Sequence, residues 1–313
     1  MLILLDEYRY PGKPELGLSA IHYQLVSPLL SVGLDIRCFF MDRFSCADEF
    51  ERRLAEALRD EDLVWISSVM SPFLTRSVLR AMKKSGVKIV TVLWDGIRLM
   101  APTKRYRVYE KHYWYHDKIH RAHRAAAYAD LVVSFDWPES RHPEKTIFLP
   151  NPVPNQIFFP TALNGKRIDV SFVGDAHKVH RQQYLDACPG IVTAGGTGDV
   201  RIPLDEYAQL IRVSKMSLNV PEVRKGIDQL TGRSFEIAHC RTALIQPDGP
   251  SIRRFLKPGR EFIVLEGPDD LPQKVRYYLD HPSELAEIAM HGWEQARAQC
   301  TGTRLWEAVR ARL

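Results

Sequence analysis

Val170-Ser-Phe-Val-Gly-Asp-Ala-His-Lys-Val-His-Arg181 reads as a strand, a turn and the opening of a helix. The run before Gly174 is short and apolar, as a strand buried in a parallel sheet is. Glycine lets backbone N–H groups approach a ligand, and a helix start carrying Lys178, His180 and Arg181 suits a diphosphate. The bland alternative is a turn glycine before a solvated basic helix start, and these residues alone leave both open.

Working outward, the same alternation fills the chain. Ahead of this stretch, strands are expected at Leu2–Leu5, Asp35–Met41, Leu63–Val69, Lys88–Trp94, Leu131–Phe135 and Thr146–Leu149. Helices are expected at Ser19–Val32, near 47–59 and at Pro72–Lys84. After it come strands at Ile191–Ala194, Ser217–Val220, Ala243–Gln246 and Phe262–Leu265. Helices are expected from Leu204, at Phe235–His239, at Leu271–Leu279, at Ser283–Gln299 and at Arg304–Arg312. Strands separated by helices imply an α/β protein with doubly wound parallel sheets. Pro150-Asn-Pro-Val-Pro-Asn155 has a linker composition near mid-chain, so two Rossmann-like domains are expected, 1–160 and 161–300, with a terminal helix at 301–313. In such sheets ligands bind at the carboxyl ends of the strands.

Composition removes several classes. Of 313 residues, 45% are hydrophobic and 26% charged, which excludes a disordered chain, a collagen-like repeat and a multi-span membrane protein. The five cysteines, Cys38, Cys46, Cys188, Cys240 and Cys300, form no C-x-x-C pair, so neither a disulfide framework nor a zinc site is suggested. Met-Leu-Ile-Leu-Leu-Asp-Glu turns acidic too early for a signal peptide, and no run of about 18 apolar residues occurs. A cytoplasmic protein is expected, with peripheral contact at a membrane left open. No G-x-G-x-x-G follows the first strand and no G-x-x-x-x-G-K-[ST] exists, which argues against nicotinamide and P-loop chemistry.

Three further pieces follow the opening stretch in order. Ser217-Leu-Asn-Val-Pro places Asn219 at a strand end, as a turn former or a ligand contact. Asp228-Gln-Leu-Thr-Gly-Arg-Ser-Phe-Glu236 sets two carboxylates on either side of a helix start whose natural N-cap is Thr231. Arg233 and Glu236 would otherwise be a plain exposed i,i+3 pair. Phe255-Leu-Lys-Pro-Gly-Arg-Glu261 is a turn into a strand.

Taken in order, from Asp169 to Gln299, these pieces resemble group 1 glycosyltransferases, nearest the short branch that includes spore-maturation-type glycosyltransferases. The resemblance implies the glycosyltransferase-B architecture, two Rossmann-like domains facing a cleft, with the terminal helix packing back on the first. It implies a nucleoside-diphosphate sugar as co-substrate, no cofactor and no metal. Carried over by position, Glu236 would bind the donor ribose hydroxyls, and Asp228 stands where longer relatives have Glu, its own role open. Lys178, Arg181 and Arg233 would neutralise the diphosphate, with Gly174, His180 and Asn219 lining the same donor site. The paired-carboxylate motif implies retention of anomeric configuration. An inverting enzyme would instead need a general base from the first domain, for which Asp95 and then His22 are the candidates.

Charge is concentrated elsewhere. The chain carries 43 Lys and Arg against 38 Asp and Glu, a net +5, and the segment 103–124 alone holds seven basic and two acidic residues. That segment also has Tyr106, Tyr109, Tyr113, Trp114 and Tyr115. His112, His116 and His120 would align on a helix, but over about 12 Å, too far for one ion. Some of these rings would face the core, or Tyr109, Tyr113 and Trp114 would bind an acceptor beside cations, whether anionic glycan, lipid phosphate or nucleic acid. Competing functions are a sugar-nucleotide epimerase or hydrolase on the same fold and a non-catalytic nucleic-acid-binding protein.

Overall fold

The structure, a computed structural model, describes residues 1–8, 14, 17–67, 71–94, 113–135, 142–176, 179–195, 202–221 and 229–313, with the side chains of 113–119, 163 and 179 outside that description. The chain divides into two units, Met1–Leu149 with Leu305–Leu313, and Pro150–Arg304.

The first unit is built on β1 (Leu2–Leu5), β2 (Arg37–Phe40), β3 (Leu63–Ile66), β4 (Lys88–Leu93), β5 (Leu131–Ser134) and β6 (Thr146–Phe148). They form one parallel sheet in the order β2-β1-β3-β4-β5-β6. Alternate residues of a strand face opposite sides, and β1 shows it. Leu2 and Leu4 join a core with Phe50, Leu54, Val78 and Leu79, from helices α2 (Ala47–Ala57) and α3 (Arg76–Lys84). Ile3 and Leu5 join a second core with Leu25, Leu29, Trp65, Leu305 and Val309. The first two of these come from a π turn, His22–Val26, running into α1 (Ser27–Leu30). Tyr113–Tyr128 forms α4.

The second unit has β7 (Ile168–Val173), β8 (Val192–Ala194), β9 (Ser214–Leu218), β10 (Ala243–Pro247) and β11 (Ile263–Leu265), parallel in the order β11-β10-β9-β7-β8. Its helices are α5 (Val179–Ala187), α6 (Leu204–Arg212), α7 (Gly232–His239), α8 (Leu271–Asp280) and α9 (Pro282–Gln299). The last helix, α10 (Gly302–Arg310), sends Leu305 and Val309 into the first unit's core, as expected for the terminal helix.

Local boundaries differ from the sequence reading for identifiable reasons. Helix α3 starts at Arg76 and not Pro72, because Thr75 is its N-cap and its Oγ1 accepts Val78 N–H at 3.3 Å. Strand β9 starts at Ser214 and not Ser217, since its early polar residue Lys215 is paired with Asp169 of β7 at 2.6 Å. A hydropathy pattern misses a strand whose edge is an ion pair. The Lys257-Pro-Gly-Arg-Glu261 piece proves to be a self-closed turn: Glu261 Oε2 accepts Lys257 N–H at 2.7 Å, and Gly259 has φ +72°. Among the described residues no helix is long and apolar enough to cross a membrane.

Candidate functional site

Both sheets reverse their winding direction beside their first strand, and in the second unit that point lies between β7 and β9. A crevice opens at the carboxyl ends of such strands. Gly174 directly follows β7, and Asn219 directly follows β9.

Gly174 has φ +147°, a conformation L side chains rarely adopt, and its N–H donates to Ala194 O at 2.9 Å. Gly195 has φ +103°, and a Cβ there would lie 2.9 Å from Gly174 O. Two glycines therefore let the ends of β7 and β8 approach more closely than any side chain allows. A Cβ on Gly174 would lie 3.3 Å from the Arg233 guanidinium, so that cation lies over the turn.

Arg181, on the first turns of α5, is buried. Its Nε donates to Val220 O at 3.2 Å and its Nη1 to Asp175 O at 3.3 Å, bridging the ends of β9 and β7. Burial first, and then the neighbouring Arg233 charge, pull its pKa down to about 10, with Asp175 opposing them. Two guanidiniums sharing a low-dielectric turn repel each other, and an anion placed between them would relieve that repulsion. Arg233 Nε is buried and has no hydrogen-bond partner among the described residues.

Behind them lies a buried polar network. Asn219 Nδ2 donates to Thr231 Oγ1 and Ser234 Oγ, each at 2.9 Å, and to Gln246 Oε1 at 3.1 Å. Its Oδ1 lies 3.5 Å from Arg233 Nη1, at the limit of a hydrogen bond. Thr231 is the N-cap of α7, but its hydroxyl serves Asn219 and makes no capping bond. Glu236, three residues beyond Arg233 on α7, is only 4% exposed, so the exposed-pair alternative does not apply. Its carboxylate accepts a hydrogen bond from the Tyr207 hydroxyl of α6.

The structure thus brings Gly174, Arg181, Asn219, Arg233 and Glu236 into one unit, around one switch point. His180 opens α5 beside them and is half-buried. Asp228 and Lys178 lie outside the described residues, as do Asp95 and Tyr109, while Tyr113 and Trp114 fall on α4 with side chains outside the description. His22 stands in the first unit, at the carboxyl end of β1, with Nε2 3.2 Å from Glu7 O. A carbonyl only accepts, so Nε2 carries the hydrogen and Nδ1 is the basic nitrogen of the neutral ring. The loop there is pinned by Asp42, which accepts Glu7 N–H at 2.8 Å and Tyr8 N–H at 3.1 Å, and by Arg43 gripping the Glu7 carboxylate. Sequence reasoning missed Glu7, Asp42, Tyr207, Ser234 and Gln246; of these Ser234 stands inside the Asp228–Glu236 piece but was given no role there.

Comparisons with known proteins agree with this architecture. A family model described as glycosyl transferase-like matches residues 158–310. No curated protein matches the chain at a significant level. Among solved structures, a sucrose-phosphate synthase from Thermosynechococcus elongatus superposes with a TM-score of 0.66 at 10% identity, over 99% of this chain and 98% of its own. The Anabaena protein HepE, solved in complex with UDP and glucose, gives 0.62 at 12% identity, over 99% and 98%. A glycosyltransferase from Rickettsia africae gives 0.60 at 11%, over 99% and 97%. Residues 158–310 are thus similar to the glycosyl transferase-like family, and the fold, two parallel α/β sheets, is shared with these solved structures.

Proposed function

We propose that the protein transfers a glycosyl group from a nucleoside-diphosphate sugar, with uridine diphosphate as the leaving nucleotide, to an acceptor hydroxyl. The observation that carries the reading is the pair of guanidiniums, Arg181 and Arg233, at the β7–β9 switch point with the Glu236 carboxylate one helical turn further on. That arrangement would set a diphosphate on the cations and the ribose hydroxyls on the carboxylate. HepE, which shares the fold, was solved with UDP.

In the reaction the bond between the anomeric carbon and the diphosphate oxygen breaks as the bond to the acceptor oxygen forms. Negative charge then grows on the leaving diphosphate. Fixed cations there stabilise the transition state more than the ground state, which is what raises the rate. The two arginines would supply that charge without a metal ion. On the paired-carboxylate reading of Asp228 and Glu236 the enzyme retains configuration, and the acceptor proton passes to the leaving phosphate. His180 and Lys178 would flank the diphosphate, and Asn219, whose amide serves the network, would position Arg233 instead of touching the donor. The order of its motifs favours the short, spore-maturation-type branch. The acceptor is proposed to be anionic and to be met by the basic aromatic segment 103–124.

The test combines binding and turnover. UDP should raise the melting temperature of the wild type. Arg233→Ala and Glu236→Ala should each weaken UDP binding about tenfold or more, the size of one hydrogen bond to a charged group. Incubation with UDP-sugars should release UDP, and NMR of the transferred product should show the donor's anomeric configuration. Unchanged UDP binding in both variants would sink the assignment.

A further inference from the structure

The Glu236 carboxylate does not stand alone: the Tyr207 hydroxyl of α6 donates to its Oε2. Tyr207 is held at its backbone and at its ring. Its backbone N–H donates to Pro203 O at 2.9 Å in the first turn of α6, and the buried Phe158 ring meets it edge-on, centroids 5.6 Å apart at 75°. The terminal torsion of a glutamate is broad, so an unrestrained carboxylate samples many orientations. One hydrogen bond from a fixed donor removes that freedom and sets the direction in which the remaining lone pairs point. An ionised carboxylate has about four acceptor sites, so the tyrosine does not saturate it.

We infer that Tyr207 is a positioning residue for nucleotide recognition, holding the Glu236 carboxylate at the angle from which it receives the ribose hydroxyls. This rests on the donor-site reading above. Its physical content is that orientation, fixed before binding, lowers the ordering cost of binding. Only the nucleoside end of the donor should feel it, because the diphosphate end meets Arg181 and Arg233.

The experiment compares two probes, UDP and inorganic pyrophosphate, by calorimetric titration into the wild type, Tyr207→Phe and Glu236→Gln. Phenylalanine keeps the ring that packs on Phe158 and removes only the hydroxyl. Tyr207→Phe should bind UDP about tenfold more weakly, while binding pyrophosphate as the wild type does. Wild-type UDP affinity in Tyr207→Phe overturns the inference, and so does an equal loss for both probes, which marks a merely structural role. If Glu236→Gln loses UDP binding while Tyr207→Phe does not, the donor site stands and only Tyr207 falls. If the wild type binds no UDP, or Glu236→Gln binds it undiminished, the donor-site reading falls and takes this inference with it.

Discussion

Asn219 and His239 show how burial decides what a polar residue does. Asn219 is fully buried and shares its two amide hydrogens among three side-chain oxygens, so its amide is committed to a network. His239, at the end of α7, is buried as a neutral ring, with Nδ1 bonded to Phe235 O at 3.2 Å and Nε2 left without a bonded partner among the described residues. Desolvation holds its pKa down to about 4; the carbonyl bond opposes this and the Arg297 charge adds to it. An unfolded histidine takes up its proton near pH 6.5, the folded one only near pH 4. Between those values the unfolded state binds more protons, so stability falls as pH drops from about 6.5 to about 4, by about 3 kcal/mol across the window. His239→Leu should lose less melting temperature over that range than the wild type. Parallel pH profiles for the two proteins would refute this.

Among elements, α9 shows how a close approach constrains sequence. Gly292 sits inside this helix, and a Cβ there would lie 2.5 Å from the backbone oxygen of Glu261, in the turn that enters β11. Alanine would add about 1 kcal/mol of helix propensity. The overlap with rigid backbone costs about 1–3 kcal/mol and outweighs it. Gly292→Ala should therefore destabilise the second unit, seen as a lower denaturation midpoint. Gly190→Ala is the control, since nothing lies within 4 Å of its Cβ position, and it should change stability by less than about 0.5 kcal/mol. Lys166 ties elements in another way. Its ammonium donates to Arg212 O, Ser214 O and Thr242 Oγ1, joining the end of α6, the start of β9 and the approach to β10.

At the scale of the whole molecule, the chain leaves its first unit at Leu149 and returns to it at Leu305. The return is a packing interaction: Leu305, 3% exposed, and Val309 fill the core that holds Ile3, Leu5 and Trp65. Arg312 adds a bond to Glu144 O at 2.9 Å. Leu305→Ala should remove about 2–4 kcal/mol from the first unit. Hydrogen exchange should then quicken in β1 and β3 while β7 and β9 keep their protection. Equal loosening of both sheets, or of neither, would contradict this assignment of the helix.

The alternation of apolar runs and amphipathic helices is enough by itself to specify two doubly wound parallel sheets, because each strand is short, apolar and followed by a helix-length segment. Gly174, Arg181, Arg233 and Glu236, which the fold gathers around one switch point, also stand in ordered motifs of the sequence. What the motifs do not tell apart is contact from support. Asn219 and Glu261 belong to the same ordered pieces, yet their side chains close networks and turns. Tyr207, 29 positions from Glu236, carries no local signal at all. Its partner is set by how α6 and α7 pack beside the same sheet. Spacing along a chain encodes what one strand end or one helix face can present. Only tertiary packing decides which side chains from distant segments meet, and so which carboxylate is held still and which guanidiniums share a turn.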